Sequence, residues 1–449
     1  MQIVPFVGFR GDRASAQRMI RASSRRGTAG FVRRRRFVDM RRCLIALAIA
    51  CVMPSAASAD PLTHGLTQLQ RDVANDCRYA GFCSDDLAAY EHSDTHRTLA
   101  FQYELGSALP LRDAPWIGTH NSFNSATEMG PTLSDSDPNQ QLSLVDQLRI
   151  DVRALELDVH WFTNRPVVCH ADGDFTGCSI EQTLDVELAK INGWLAQHPN
   201  QVILLYLEDH LGTQTGHDAG AKMITDTIGP RVYRPVGGGC QELPLTLTRD
   251  AVRAAGKQVI IVGGCGVGAA YQGLAYSWDK HVETRPIGFQ GPPGCGPDFP
   301  RSTWDATLVR YYEDSTFLTD GGSYVGQSTR DDGLTPATTT ALVRCGVDLL
   351  GFDQLLPGDG RLDAAVWSWA PGEPRLQRGR CVVQRPSDGR WEVRRCAAKY
   401  GTAQPVPRTG YENEQLREAA GGEPVLLDLT VPQRSPRARR RAGAGSKSR

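Results

Sequence analysis

The sequence of 449 residues predicts an α/β protein, a distorted TIM-type β/α barrel with a helical N-terminal lead-in and a small C-terminal β-rich module. Between residues 115 and 353, short apolar runs alternate with amphipathic segments, which is typical of a parallel sheet or barrel. Within the run 153–162, polar and apolar side chains also alternate. Because helices are predicted between the runs, this alternation favours a barrel strand whose outer face meets helices and whose inner end opens into a site.

Seven short apolar runs are predicted to be strands, at 115–122, 153–162, 166–171, 201–208, 258–263, 347–353 and 364–369. In the second run, Glu156 and Asp158 lie on the face opposite Leu155 and Leu157, because side chains alternate along a strand. Residues 270–335 are rich in Gly, Pro and aromatic residues and lack a clear period, so we expect loops over the site there.

Three helices are predicted from apolar spacing and from start and stop residues. The first follows Ser179 as its N-cap, carries apolar residues three or four positions apart, and ends before Pro199. The others are predicted at 213–228 and 335–345, where Thr335 can cap the helix and Pro336 suits its first position.

The two ends of the chain are basic and its middle is acidic, although the formal net charge is zero. Residues 43–433 hold 31 Lys or Arg against 48 Asp or Glu, a net charge of −17. Such a body argues against a nucleic-acid-binding protein, which needs a basic face to neutralise phosphates. An anionic substrate would need a cation in the site.

Composition divides the chain into five parts. Residues 40–59 contain two arginines, a short apolar region and Ala57-Ser58-Ala59, which predicts a secretory signal peptide too short to span a bilayer. We interpret 1–39 as a disordered upstream extension from a misplaced start, or an unusually long n-region. A weaker alternative is lipid attachment at Cys51. The remaining parts are the barrel domain 60–372 with its lead-in 60–112, the module 373–432, and a disordered basic tail 433–449.

The chain is therefore expected to be exported, to a periplasm or to the medium, without a transmembrane segment. Of its twelve cysteines, ten follow the signal, and an even number in an exported chain favours disulfides. Short spacings favour three pairs and leave the others open: Cys77 with Cys83, Cys169 with Cys178, and Cys381 with Cys396. No Cys-x-x-Cys occurs, which argues against a zinc site.

Polar side chains lie within or just beyond several of the predicted strands, as in an active site. Four of them offer amide or carboxylate oxygens, namely Asn121, Glu156, Asp158 and Glu208. Hard oxygen ligands without thiolates select Ca²⁺ or Mg²⁺, and an irregular set with open positions favours Ca²⁺. The alternative, that Glu156 and Asp158 are ordinary surface acids, conflicts with their apolar neighbours.

Two histidines, His120 and His170, lie at the ends of different strands beside this predicted metal site. That position suits general acid or base catalysis and stabilisation of charge on a phosphoryl group. A lone histidine would more often be structural, and zinc would be expected only if both were ligands.

Four motifs carry a resemblance to a known family. Gly118-Thr-His-Asn-Ser-Phe123, Arg153-Ala-Leu-Glu-Leu-Asp-Val159, Val167-Val-Cys-His170 and Val202-Ile-Leu-Leu-Tyr-Leu-Glu-Asp-His210 closely resemble the catalytic half of phosphatidylinositol-specific phospholipase C. The resemblance is to the calcium-dependent branch, since an Arg takes the metal's role on the corresponding strand of the calcium-independent bacterial enzymes. It is strong over 115–265 and weaker beyond.

The resemblance implies a role for each polar residue. His120 would bind the phosphoryl oxygens, and His170 would protonate the departing diacylglycerol oxygen. Asn121, Glu156, Asp158 and Glu208 would hold Ca²⁺, and Glu156 would also take the proton of the inositol 2-hydroxyl. The product would be a cyclic inositol phosphate that water can open, made by a monomer at the surface of a phospholipid membrane.

Two other functions remain open. A glycerophosphodiester phosphodiesterase has a similar barrel and Glu-x-Asp pair, but it follows its first His with Arg and its second with Asp, where this chain has Asn121 and Ala171. The other is an inactive secreted protein that binds lipids or glycans. In the second half, composition alone suggests inositol contacts from Arg310, Tyr312, Glu313 and Asp314, and core positions for Trp367 and Trp369.

Overall fold

The structure is a computed structural model, and its described residues belong to one compact unit, 60–449. It describes residues 84–129, 139–170, 178, 182–277, 282–283, 295, 308–313, 317–320, 323–327, 334–396 and 400–431. The predicted signal peptide, the Cys77–Cys83 pair, Asp314 and the basic tail lie outside these ranges. No helix within them is long and apolar enough to cross a membrane.

The core of the fold is a curled parallel sheet, which confirms the TIM-type α/β class. Its strands in chain order are β1 (Trp116–Thr119), β2 (Ala154–Phe162), β4 (Ile203–His210), β5 (Val259–Gly263), β6 (Ala275–Ser277), β7 (Val282–Glu283), β8 (Val309–Tyr312) and β11 (Leu349–Phe352). In the sheet they follow the order β6-β5-β4-β2-β1-β11-β8-β7. Among the described residues no pairing joins β6 to β7, and we call this place the seam.

The alternation predicted for β2 is confirmed by how its two faces pack. Ala154 faces a cluster with Leu204, Ile260 and other inward side chains of neighbouring strands. Leu155 and Leu157 belong instead to the larger core that the helices share. Burial of both faces is expected where helices cover a barrel strand from outside.

Eleven helices are found in the described part of the chain. They are α1 (Ser84–Glu91), α2 (Asp94–Leu105), α3 (Ala126–Met129), α4 (Leu144–Arg149), α5 (Leu184–Gln197), α6 (Gln214–Thr227), α7 (Arg249–Ala254), α8 (Ala269–Gln272), α9 (Pro336–Cys345), α10 (Arg361–Ala364) and α11 (Gly410–Ala419). The predictions for α6 and α9 are confirmed, since the Thr213 and Thr335 side chains accept hydrogen bonds from Gly216 N and Thr338 N.

Helix α5 begins later than predicted, at Leu184 with Thr183 in the N-cap position rather than Ser179. The reason lies in strand β3 (Arg165–Val168), which runs antiparallel to β2. Val168 N donates to Gln182 O at 2.9 Å, and Thr183 bridges to Val167. These contacts hold 182–183 extended, so the helix can start only after them.

Two further predictions were wrong. Residues 364–369 do not form a strand, because α10 ends at Ala364 and the chain then runs irregularly into the core around Trp367 and Trp369. The segment 270–335 is not all loop, since it contains β6, β8 and the hairpin β9 (Phe317–Asp320) with β10 (Ser323–Gln327). Strands of three to five residues are too short to show a period in the sequence.

After the barrel the chain forms the predicted small antiparallel sheet, in the order β13-β12-β14. Its strands are β12 (Cys381–Gln384), β13 (Trp391–Arg394) and β14 (Val425–Thr430). Trp367 and Trp369 are each 5% exposed and pack against Trp391, which confirms the prediction that both are core residues. The domain boundary at 372 stays a prediction.

Four disulfides join described cysteines. Cys169–Cys178 and Cys381–Cys396 confirm two of the predicted pairs. Cys240–Cys265 and Cys295–Cys345 were not predicted, because the long sequence separation leaves such pairs undefined until the fold brings them together.

Candidate active site

The predicted oxygen ligands meet at the carboxyl ends of β2 and β4. Asp158 pairs with Glu208 across the two strands, and Glu156 lies two residues earlier on the same face of β2. One carboxylate oxygen from each of the three residues lies within 4.8 Å of the others. Glu156 and Asp158 are buried, at 2% and 5% exposure, whereas the Glu208 side chain is 42% exposed, so the cluster reaches from the barrel interior to solvent.

Asn121 completes this acidic cluster of Glu156, Asp158 and Glu208. It follows β1 with a positive φ of 42°, which turns its side chain toward the strand ends. Its side-chain oxygen lies 2.9 and 3.0 Å from the carboxylate oxygens of Asp158, and its nitrogen donates to Asn139 Oδ1 at 3.2 Å. The Asn121 oxygen and the Asp158 oxygens are all acceptors and repel one another in this arrangement. A cation between them would remove the repulsion, and so would rotation of the Asn121 amide so that its nitrogen donates to Asp158.

The electrostatics of the cluster also fit a cation. Burial raises the pKa of Glu156 to about 7, and the Glu208 carboxylate adds to this although His120 opposes it. Burial, with the charges of Glu156 and Glu208, raises the pKa of Asp158 as well. The Glu208 pKa is lowered by a hydrogen bond from His210. Because the acids repel one another in a low-dielectric site, a bound cation would stabilise their charged forms.

A second group of ligand-type side chains, His160 with Cys169 and Cys178, does not suit a metal. The two cysteines form a disulfide, so neither offers a thiolate. In the part of the chain that the structure describes, the acidic cluster is thus the site whose donors fit a metal. Those donors are oxygens, as predicted, and they favour Ca²⁺ or Mg²⁺ over zinc.

His120 lies immediately after β1 beside Asp353, which follows β11. Its Nδ1 is 3.1 and 3.3 Å from the two Asp353 carboxylate oxygens, and Asp353 is fully buried. Burial lowers the His120 pKa, but the Asp353 carboxylate and the acids of the cluster outweigh it and raise the pKa to about 10. His120 is therefore a cation near neutral pH, suited to a phosphoryl oxygen.

Asp353 was not predicted, and a network of buried charges supports it. Its backbone N donates to Glu313 Oε2 at 3.0 Å, and the same oxygen accepts from Arg361 Nη1 at 2.8 Å. Arg361 also donates to the carbonyl oxygen of Asp353. Glu313, suggested above as an inositol contact, is only 3% exposed and supports this loop instead.

Arg310 and Tyr312 do lie in the barrel interior beside the acidic cluster. The Arg310 guanidinium is 5.3 Å from the Tyr206 ring centroid and 5.0 Å from that of Tyr312. The Tyr312 ring lies 5.9 Å from His120. Arg310 also lowers the pKa of Glu156 through its charge. These residues shape the floor of the site.

His170 lies two residues beyond β3, and the hairpin with β2 brings it to the same end of the barrel. Cys169 N donates to Asp158 O at 3.1 Å, which fixes the backbone before His170 to the strand that carries the acids. The ring contacts Asn124, whose Nδ2 is 3.3 Å from His170 Nδ1. Asn124, Asn139 and Gln140 were not singled out in the sequence, since they fall in a connection without a motif.

A cavity of about 820 Å³ lies away from these residues. Its walls include Pro115, Trp116, Arg153 and Asp348, all at the amino ends of barrel strands. It is not lined by His120, by His170 or by any member of the acidic cluster. Catalytic groups of such barrels lie at the carboxyl ends of the strands. The candidate active site is therefore the acidic cluster with His120, Asn121 and His170.

Comparisons with known proteins find several similar to this chain. The protein Rv2075c of Mycobacterium tuberculosis is 36% identical over 421 residues, which cover 82% of this chain and 83% of the relative. Phosphoinositide phospholipase C 4 of Arabidopsis thaliana is 30% identical over 162 residues, 36% of this chain and 25% of that protein. The phosphatidylinositol-specific phospholipase C of Staphylococcus aureus aligns with a TM-score of 0.41 at 14% identity, covering 61% of this chain and 99% of its own.

The family model described as the Rv2075c PI-PLC-like domain matches residues 83–359. This range includes all four motifs that carried the resemblance and every residue of the candidate site, Asp353 included. The chain belongs to the family of the Rv2075c PI-PLC-like domain.

Proposed function

We propose that this protein is an exported phosphoric diester hydrolase that cleaves phosphatidylinositol to diacylglycerol and a cyclic inositol phosphate with the help of Ca²⁺. The observation that carries the proposal is the convergence of three carboxylates within 4.8 Å beside the cationic His120. A phosphodiester is an anion, so it needs positive charge in this acidic barrel, and a cation held by the cluster would supply it.

Asn121, Glu156, Asp158 and Glu208 would hold the metal ion. When bound, it neutralises charge on the phosphoryl group and makes the inositol 2-hydroxyl more acidic. Ca²⁺ is favoured over Mg²⁺ because the ligand set is irregular and comes from three separate strands and loops.

The side chains of this chain divide the proton transfers between them. Glu156, buried on β2 beside the other acids of the cluster, is placed to take the 2-hydroxyl proton, and a bound cation would keep it in the charged form that can accept one. The freed oxygen attacks phosphorus, and the bond from phosphorus to the diacylglycerol oxygen breaks. His170 gives its proton to that leaving oxygen, while His120, held by Asp353, donates a hydrogen bond to the phosphoryl oxygens. Water can open the cyclic product by the same steps in reverse roles.

Export is supported by the disulfides. Four are formed by described cysteines, and such bonds persist in oxidising compartments rather than in a cytosol. The predicted signal peptide at 40–59 gives the route.

The proposal is tested by incubating the purified protein with phosphatidylinositol vesicles and measuring diacylglycerol and water-soluble phosphate esters. We expect diacylglycerol and cyclic inositol phosphate, loss of both with EDTA, and recovery with Ca²⁺. Release of glycerol phosphate from deacylated diesters, with phosphatidylinositol untouched, would identify a glycerophosphodiester phosphodiesterase. Binding to vesicles without turnover of either substrate would identify a binding protein.

A further inference from the structure

Three buried asparagine amides form a continuous chain between the acidic cluster and His170. Asn139 Oδ1 accepts from Asn124 Nδ2 at 2.7 Å and from Asn121 Nδ2 at 3.2 Å. Asn124 Nδ2 in turn lies 3.3 Å from His170 Nδ1. Asn124 and Asn139 are both fully buried, so these bonds are made out of contact with bulk water.

The backbone around this chain is fixed at each step. Asn124 N donates to Asn121 O at 2.9 Å, and Gln140 N donates to Asn124 O at 2.9 Å. Gln354 N donates to Asn139 O at 2.8 Å, which ties the pair Asn139-Gln140 to the loop after β11. Side chains held on so rigid a backbone can hold a neighbouring ring in one orientation.

The contact with Asn124 occupies one nitrogen of the His170 ring. Because Nδ1 is engaged, Nε2 is the nitrogen left to face a substrate. An amide can meet Nδ1 in two ways, by donating from Nδ2 to its lone pair or by accepting its proton at Oδ1. Which of these occurs depends on Asn139, because Asn124 must turn its nitrogen to an Asn139 oxygen or its oxygen to an Asn139 nitrogen.

The same polarity extends to the acidic cluster. If the Asn121 oxygen faces a cation, its nitrogen donates to Asn139, as in this structure; if the amide turns to donate to Asp158, its oxygen faces Asn139 instead. A rotation of the Asn121 amide therefore requires matching rotations of the Asn139 and Asn124 amides. The chain of amides can transmit the state of the acidic cluster to the ring of His170.

We propose that Asn124 and Asn139 are positioning residues that hold His170 by Nδ1 and couple its proton arrangement to cation binding at the acidic cluster. The proposal rests on the proposed function in that His170 is the proton donor to the leaving group. It adds two residues that act through His170 and do not touch the reacting atoms.

The first test varies the leaving group. Phosphatidylinositol has an alkoxide leaving group that needs a proton, whereas an aryl inositol phosphate has one that departs without it. With Asn124→Leu or Asn139→Leu we expect kcat on phosphatidylinositol to fall about 10-fold, a part of the ~10²–10⁴ that general acid catalysis supplies, and kcat on the aryl substrate to fall less than about 2-fold. Equal losses on both substrates would overturn the proposal.

Conservative and distant variants separate positioning from folding. Asn139→Asp keeps the accepting oxygen and should retain most of the activity that Asn139→Leu loses. Asn200→Leu changes an exposed asparagine ahead of β4 and should leave both substrates unaffected. Thermal unfolding of each variant shows whether the protein still folds with the buried substitution. If Asn124→Leu does not fold, the comparison of Asn139→Asp with Asn139→Leu still tests whether the amide chain positions His170.

The second test needs no turnover. Nitrogen chemical shifts of ¹⁵N-labelled histidine report which ring nitrogen carries the proton, so we expect Ca²⁺ to shift the His170 signals of the wild type. In Asn139→Leu, which removes the amide, and in Asn139→Asp, whose carboxylate can only accept hydrogen bonds, the shift should shrink to less than half. An equal response in all three overturns the coupling. If the wild type cleaves neither substrate, the proposed function fails, while this measurement still tests the chain of amides.

Discussion

Among the residues that the structure describes, buried carboxylates either pair with a cation or gather beside one another, and the contrast between these two settings supports the candidate active site. On α5, Lys190 lies 2.7 Å from Glu187 and 2.9 Å from Glu128, so opposite charges are matched as the chain folds. At the ends of β2 and β4, the acidic cluster gathers like charges, and burial together with these charges raises the pKa of Glu156 and of Asp158. The first arrangement stabilises the fold, whereas the second costs stability and is kept for a ligand.

The substitution Asp158→Asn is expected to have the largest effect on the acidic cluster. We expect kcat to fall about 10³-fold, since losing several kcal/mol of stabilisation from a bound cation costs about a factor of ten per 1.4 kcal/mol. Without Ca²⁺, however, the variant should be at least as stable as the wild type, because it removes a buried repulsion. Activity assays and denaturant unfolding measure the two effects. Asp226→Asn, an exposed acid on α6, is the control and should change neither.

Substitution of the histidines tests the proton and phosphoryl roles. His120→Ala and His170→Ala should each lower kcat by about 10² or more, with general acid and base steps contributing about 10² to 10⁴. Asp353→Asn should lower it less, because the amide still contacts His120 but no longer favours its cation. Unchanged turnover in either alanine variant would remove that histidine from the mechanism.

The matched pair on α5 should respond in the opposite way to the acidic cluster. Lys190→Met leaves Glu187 buried without its main partner, so we expect a loss of about 3–5 kcal/mol in the free energy of unfolding and an unchanged kcat. The exposed pair of Lys222 and Asp226 gives the control, since Lys222→Met should cost at most about 0.5 kcal/mol. If Lys190→Met and Lys222→Met lowered the free energy of unfolding by similar amounts, burial would not distinguish the two ion pairs.

The pH dependence of stability gives the smallest and most specific effect. Glu156 has a folded pKa of about 7 against its ordinary 4.5, so the folded state binds its proton more tightly. Its contribution therefore favours folding at low pH and is lost as the pH rises from about 4.5 to 7. Ca²⁺ should reduce this loss, and Glu156→Gln should remove it. If the stability of the Ca²⁺-free wild type followed the same course across this window as that of Glu156→Gln, the raised pKa would be contradicted.

The barrel class, the acidic cluster and both histidines could be predicted from the sequence because each depends on residues close together in the chain. Glu156 and Asp158 share one strand, so alternation alone places them on the inner face. His120 and His170 follow apolar runs directly. In these cases neighbouring residues carry enough information to place the side chain.

Asp353 and Asn139 could not be predicted in this way. Asp353 reaches His120 only because β11 pairs with β1, across more than two hundred residues of chain. A weak signal did exist, since Asp353 directly follows an apolar run, as His120 does. Asn139 offers no signal, because a buried asparagine in a connection looks like a surface residue until its partners are known. The start of α5 was wrong for a similar reason, since β3 holds 182–183 extended.

The order of the strands has a consequence for how this protein can vary. His120, the acidic cluster and Asp353 come from β11, β1, β2 and β4, four neighbours at the centre of an uninterrupted hydrogen-bonded ladder. The seam between β6 and β7 lies at the two outer edges of that ladder. Insertions and exchanges of loops at the seam are therefore expected to leave the distances between the groups of the candidate active site unchanged.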